Sequence, residues 1–175
     1  ERLYNVRLVA RADVPVWRPD VVCCDVTDHD GAVVAGVYLD LCARAGKRGG
    51  AWMDVCRPRF RAADRLHRPI AYLTTNFAPA TGGKPSLLKH DDVVTLLHEF
   101  GHVLHHLFTE VDLPSIGGIS GVEWDAVELP SQFMENFAWD AEALRSLSSH
   151  SETGAPLPAP LFAKMLAARQ FQAGL

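Results

Sequence analysis

Leu96-Leu97-His98-Glu99-Phe100-Gly101-His102-Val103-Leu104-His105-His106-Leu107-Phe108 is the stretch from which the rest of the chain can be read. At about 100° per residue it forms a helix, on which His98 and His102 stand one turn apart and about 40° apart around the axis. Two imidazoles so placed can reach one metal ion. Glu99 projects from the neighbouring edge of the same face, where it can touch a water on that metal without being a ligand. This is the H-E-x-x-H arrangement, which supplies two zinc ligands and a general base. Val94, Leu97, Gly101, Leu104 and Phe108 form one apolar stripe, and Val93, Leu96, Phe100, Val103 and Leu107 a second. Only a strip through Thr95, His98, Glu99, His102 and His105 is polar. Such a helix is mostly buried, and burying its polar strip without partners costs several kcal/mol, which a metal and its water would offset.

A third ligand is needed, and the next polar segment offers four carboxylates: Glu123, Asp125, Glu128 and Glu135. Glu128 and Glu135 share a helical face, and so do Asp125 and Glu128. The Asp125-x-x-Glu128 spacing also resembles a capping box, in which Glu128 would only satisfy backbone N–H groups. Pro130 argues for an irregular start to this helix, because it lacks an N–H and crowds the preceding turn. Spacing alone leaves the choice open.

The 175 residues fit one domain, with 48% hydrophobic and 22% charged residues, both globular values. Net charge is -4, and the basic clusters at 44–48 and 57–68 are interleaved with acids and prolines. They read as solvated surface, so no nucleic acid partner is expected. No apolar run reaches the ~18 residues of a membrane span. Glu1-Arg2 reads as the middle of something longer. Cys23, Cys24, Cys42 and Cys56 contain no CxxC pair, which argues against a cysteine zinc site or a disulfide framework and for a reducing, cytoplasmic setting.

The expected fold class is α+β, mainly β over 1–80 and mainly α over 86–175, within a single unit. Strands are expected at Asn5 to Ala12, Val21 to Thr27, Val33 to Leu41 and Pro69 to Phe77, with a turn at Asp28 to Gly31 joining a hairpin. The glycine-rich basic loop 45–50 lacks phosphate-loop spacing, and 57–69 reads as irregular. Asp91 or Asp92 can cap the His98 helix. Gly117, Gly118 and Gly121 mark a mobile stretch that could adjust around a substrate. A long helix is expected from about Asp125 to Leu147, buried through Phe133, Phe137, Ala141 and Leu144. A last amphipathic helix runs from Leu161 to Gln172 through Met165, Ala168 and Phe171.

The sequence resembles the thimet oligopeptidase family of zinc peptidases. The residues that carry the resemblance are His98-Glu99-Phe100-Gly101-His102 with Leu104-His105-His106, Ser120-Gly121-Val122, and the run from Trp124 through Asp125, Glu128, Pro130, Ser131 and Glu135 to Asn136. Upstream, Tyr38-Leu39-Asp40-Leu41, Lys47-Arg48-Gly49-Gly50-Ala51-Trp52-Met53 and Leu73-Thr74-Thr75-Asn76-Phe77 add to it. The likeness spans about residues 1–172.

The resemblance implies a zincin-like core of gluzincin type holding one zinc ion. His98, His102 and Glu128 would be the protein ligands, with water in the fourth position, and Glu99 the general base. The expected activity is cleavage of short peptides inside a deep channel between two mostly helical halves. Cleavage of terminal dipeptides by the same chemistry, or a zinc-binding scaffold without activity, are the alternatives. Asp125 and Glu135 are candidates to support the ligand histidines, and the strand 73–77 could pair with a peptide along an exposed edge. His105 and His106 are expected to pack or face solvent. The family's oxyanion-stabilising His/Tyr cluster lies downstream of its zinc site, whereas the tyrosines here are Tyr4, Tyr38 and Tyr72. The resemblance therefore implies that the remainder of a longer polypeptide completes the site.

Overall fold

The computed structural model describes residues 3–171. It is α+β. Seven strands, β1 (Arg7–Arg11), β2 (Val22–Thr27), β3 (Val33–Cys42), β4 (Trp52–Arg57), β5 (Phe60–Ala62), β6 (Arg65–His67) and β7 (Ile70–Phe77), come first. Helices α1 (His90–Leu107), α2 (Leu129–Glu135), α3 (Ala141–Leu147) and α4 (Ala159–Gln170) follow. A 3-10 turn over Asn136–Trp139 joins α2 to α3.

Five strands make one mixed sheet in the order β1-β2-β3-β7-β4, parallel only between β3 and β7. β2 and β3 form the expected hairpin. Its turn is held by Asp28, whose side chain accepts the Asp30 and Ala32 N–H groups, with Gly31 at φ +82°. Period-2 alternation along β2, β3 and β7 sends Cys24, Val26, Ala35, Val37, Ala71 and Leu73 to one face. The second apolar stripe of α1 covers that face, with Val103 and Leu107 fully inside and Leu96 and Phe100 beside them. The helix is thus laid across the sheet by its own apolar periodicity, and its polar strip is left facing away from the core.

The opposite face carries Tyr38 and Tyr72, 5.4 Å apart between ring centroids, with Trp17 packed on both. Trp17 also donates its indole N–H to Asp40. Asp40 is buried and holds the basic loop after β3. Arg44 binds it through both terminal nitrogens, and Lys47 Nζ reaches its carboxylate, its carbonyl and the Cys42 carbonyl at 2.8–2.9 Å. Asn76 ties down the far end of the loop by donating to the Arg48 and Gly50 carbonyls.

Several sequence expectations are corrected here. Residues 52–57 form a strand that the sequence reading does not assign, because Asp54 and Arg57 interrupt its apolar alternation. Residues 57–69 are not irregular throughout, since β5 and β6 pair as a small hairpin. The strand 73–77 is not an edge at Leu73 and Thr74, because β4 pairs with β7 from Ile70 to Thr74 and takes the edge there; Thr75 to Phe77 run past the end of β4.

The single long helix expected from Asp125 to Leu147 is three pieces. Turns occupy 124–128, Pro130 sits in the first turn of α2 where its missing N–H is harmless, and Asp140 is extended (ψ 129°) and caps α3 by accepting the Ala143 N–H. The buried positions are accordingly Ser131, Met134, Ala138 and Leu144, whereas Phe133 is exposed. The fourth helix is not amphipathic and buries no residue, because little of the described chain covers it. Gln172, its expected end, lies outside the described residues.

The Asp40 cluster generates a stability prediction. The guanidinium of Arg44, then Lys47 and Trp17, holds the Asp40 carboxyl well below the usual carboxylate range. A depressed folded-state pKa contributes stability above the unfolded value, about 3.9, and loses it as pH falls further. Lys47→Met leaves a buried carboxylate with one partner fewer and should lower stability by roughly 3–5 kcal/mol at pH 7. Urea unfolding measures this, and the deficit should narrow between about pH 4 and pH 2 as Asp40 protonates.

Candidate metal centre

α1 runs under the sheet with its polar strip turned toward α2. Asp92 stabilises its first turn by accepting the Lys89 N–H at 2.8 Å. Gly101 determines how close the two helices come. A Cβ at this position would lie 2.5 Å from Ser131 Cα and 2.6 Å from the Pro130 carbonyl oxygen, so only a hydrogen fits between the two backbones. That approach brings Glu128, the residue preceding α2, over His98 and His102.

The Nε2 atoms of His98 and His102 lie 3.2 and 3.1 Å from the same Glu128 oxygen, Oε2. One potential ligand atom from each of the three residues falls within 4.8 Å of the others. Ligands held at ~2.0–2.1 Å around a tetrahedral metal stand about 3.3 Å from one another, so the spacing fits. Two neutral imidazoles and a carboxylate are also a donor set that suits zinc. Burial pushes His102 down, toward the neutral form a ligand needs. The Glu128 carboxyl is lowered, first by a hydrogen bond from Ser131 and then by the two histidines, which favours its ionised form.

Glu99 stands apart from this cluster. Its carboxylate is buried, and the loss of water raises its pKa, with Glu128 adding to the rise and His98 opposing it. The Met53 backbone of β4 lies near enough to offset part of that rise. Glu99 is thus held between α1 and the edge strand.

Glu135 lies one α2 turn further on and places Oε1 2.6 Å from His98 Nδ1. This fixes the ring so that Nε2 faces Glu128. His102 has no such support, since its Nδ1 is buried without a hydrogen-bond partner among the described residues. Asp125 is exposed in the turn before α2, and among the described residues no hydrogen bond or ion pair joins it to either histidine. Glu123 is likewise exposed, and its carbonyl accepts the Ala126 and Val127 N–H groups. No side-chain cap is made at the start of α2, so Glu128 does not serve the capping box that its spacing allows.

His106 is fully buried with Nε2 on the Arg57 carbonyl, and His105 is half-buried beside an apolar groove. Gly118 packs on His106, where a Cβ would meet Nδ1 at 2.6 Å, so the glycine-rich stretch is anchored to α1.

Three residues that shape the centre go unassigned in the sequence reading. Ser131 carried a signal, its position three residues after Glu128 on one helical face. Gly101 carried a weaker one, a glycine costing about 1 kcal/mol of helix propensity inside a strongly apolar helix. Met53 acts through its backbone and has no side-chain signal.

Peptidase family M3 matches residues 1–175. The chain belongs to this family of metallopeptidases. It is 53% identical over 176 residues to oligopeptidase A of Escherichia coli (strain K12), covering all of this chain and 26% of that protein. It is 44% identical over 178 residues to the probable cytosolic oligopeptidase A of Arabidopsis thaliana, covering 98% and 25%. It is 37% identical over 175 residues to the dipeptidyl carboxypeptidase of Escherichia coli (strain K12), covering 99% and 25%. The chain therefore spans about a quarter of the length of these relatives. The resemblance to the oligopeptidase family read from the motif residues is upheld.

Gly101→Ala tests the close approach of the helices. Alanine gains up to about 1 kcal/mol of helix propensity. Overpacking against the Ser131 backbone costs about 1–3 kcal/mol and moves α2 away from α1. The variant should melt at a lower temperature and bind metal more weakly than wild type, as read by thermal unfolding and chelator competition.

Proposed function

We propose that this chain is the zincin-like catalytic core of a zinc endopeptidase acting on short oligopeptides. The observation that carries the proposal is the convergence of His98, His102 and Glu128 on one point, with buried Glu99 beside it. The 53% identity to an oligopeptidase A supports the substrate class. When bound by these three residues, zinc supplies Lewis acidity that polarises a scissile carbonyl and acidifies a water.

The protein's own groups do the rest. Glu99 takes the proton of the attacking water and passes it to the leaving amine, and its raised pKa suits a carboxylate that must hold a proton between the two steps. Glu135 keeps His98 turned toward the metal. β4, with one side unpaired, is the strand along which a peptide backbone could align. Removal of terminal dipeptides is the second reading, favoured by the likeness to a dipeptidyl carboxypeptidase. A scaffold role is disfavoured because a purely structural metal site has no use for Glu99.

The chain's share of its relatives' length supports a longer polypeptide, whose remainder would carry further groups that bind the peptide. That remainder would also cover an apolar groove of about 800 Å³ lined by Leu104, Phe108, Val111, Ile116 and Phe133. No helix among the described residues is long and apolar enough to cross a membrane. The described cysteines are free, in keeping with a reducing cytoplasmic setting.

Full-length Glu99→Gln should retain about one zinc per chain while kcat on fluorogenic peptides falls by ~10²–10⁴. Retained turnover would remove Glu99 from the mechanism. A wild-type protein that binds no zinc, or a chelator without effect, would sink the proposal. A ladder of peptides of graded length separates internal cleavage from release of terminal dipeptides.

A further inference from the structure

We infer that Ser131 is the positioning residue for the Glu128 ligand, a role that rests on the zinc reading above. Ser131 is completely buried between α1 and α2, although serine is usually exposed. Its hydroxyl faces two acceptors of one residue, the Glu128 side-chain oxygen Oε2 at 2.7 Å and the Glu128 carbonyl at 2.9 Å. A hydroxyl carries one proton, so it donates to one of them at a time or shares the proton unequally. The shorter contact is to Oε2, the same atom that lies 3.1–3.2 Å from both histidine Nε2 atoms.

Glu128 needs such a clamp. Its side chain is 48% exposed and follows a turn rather than lying inside a helix, so neither packing nor regular structure restricts its rotamers. The neighbouring ligand His102 is 10% exposed in its side chain and held by α1. The Ser131 bond reduces the freedom of the carboxylate and aims one oxygen at the metal position, while the other remains available to solvent or substrate. Gly101 makes the clamp possible, because any side chain there would push Ser131 away. Glu135 performs the equivalent service for His98. Two of the three candidate ligands are therefore oriented from α2, by residues on successive turns.

The test is Ser131→Ala in the full-length protein, read by zinc competition titration, by the visible spectrum of the cobalt-substituted protein and by melting of the metal-free form. Loss of an orienting partner typically weakens metal binding ~10–100-fold. The expected result is weakening in that range, changed cobalt bands and an almost unchanged metal-free melting temperature. In a Glu128→Ala background the same substitution should leave the residual zinc affinity unaltered, because the hydroxyl acts only through that carboxylate. Zinc affinity and cobalt spectrum equal to wild type would overturn the inference and leave the zinc reading standing. A tenfold loss that persists without Glu128, or a Ser131→Ala protein that fails to fold, would also overturn it by showing that the hydroxyl serves packing. Wild-type protein that binds no zinc would remove the zinc reading, and the inference with it.

Discussion

The contact between α1 and α2 at Gly101 is the constraint on which the rest of the centre depends. The two histidines belong to α1 and the carboxylates that face them belong to α2 and the turn before it. Their distances are therefore set by how closely the two backbones pack. With no Cβ at 101, the Ser131 Cα and Pro130 carbonyl settle directly on α1. An interface of larger side chains would hold helix axes about 8–10 Å apart and leave Glu128 short of the histidines. The glycine costs helix propensity, and the sheet compensates. The apolar stripe of α1 from Leu96 to Leu107 is pinned over β2, β3 and β7, so the helix does not rely on propensity to stay formed.

Burial then divides the labour among the carboxylates. Glu99, excluded from water, has its proton affinity raised, which suits the proton-holding role proposed for it. Glu128, more exposed and held by Ser131, is lowered and stays ionised. Two glutamates within one cluster thus differ by environment in the way the proposed roles of proton carrier and ligand require. The two histidines are also unequal. His98 has Glu135 behind it, whereas His102 relies on packing, and its buried Nδ1 finds no partner among the described residues.

What could be read from the sequence follows physical range. His98, Glu99 and His102 lie within one turn, so a helical period places them without tertiary information. Alternation located β2, β3 and β7, and Asp28 to Gly31 announced their hairpin. Glu128 was recognisable by resemblance but not by spacing, because the turns at 124–128 obey no period. The break at Asp140 shows the same limit: the apolar residues of 133–144 suit one long helix, and only the extended capping residue reveals two. β4 carries little signal because an edge strand needs few apolar residues, and without it β7 reads as the edge along residues that β4 in fact covers as far as Thr74.

The edge formed by β4 bears on the proposed chemistry. An unpaired strand presents N–H and C=O groups that invite association, and proteins usually shield them. On β4, the Met53 backbone lies beside the Glu99 carboxylate. The candidate base thus stands at the border of the sheet, where α1 packs against β4. Lys47 and Asn76 tie the loop before β4 to Asp40 and to β7. The buried Asp40 cluster lies on the face away from α1, yet it holds the loop from which β4 starts. Precision at the centre is thus supplied from both faces of the sheet, by apolar packing beneath α1 and by a buried ion cluster on the far side.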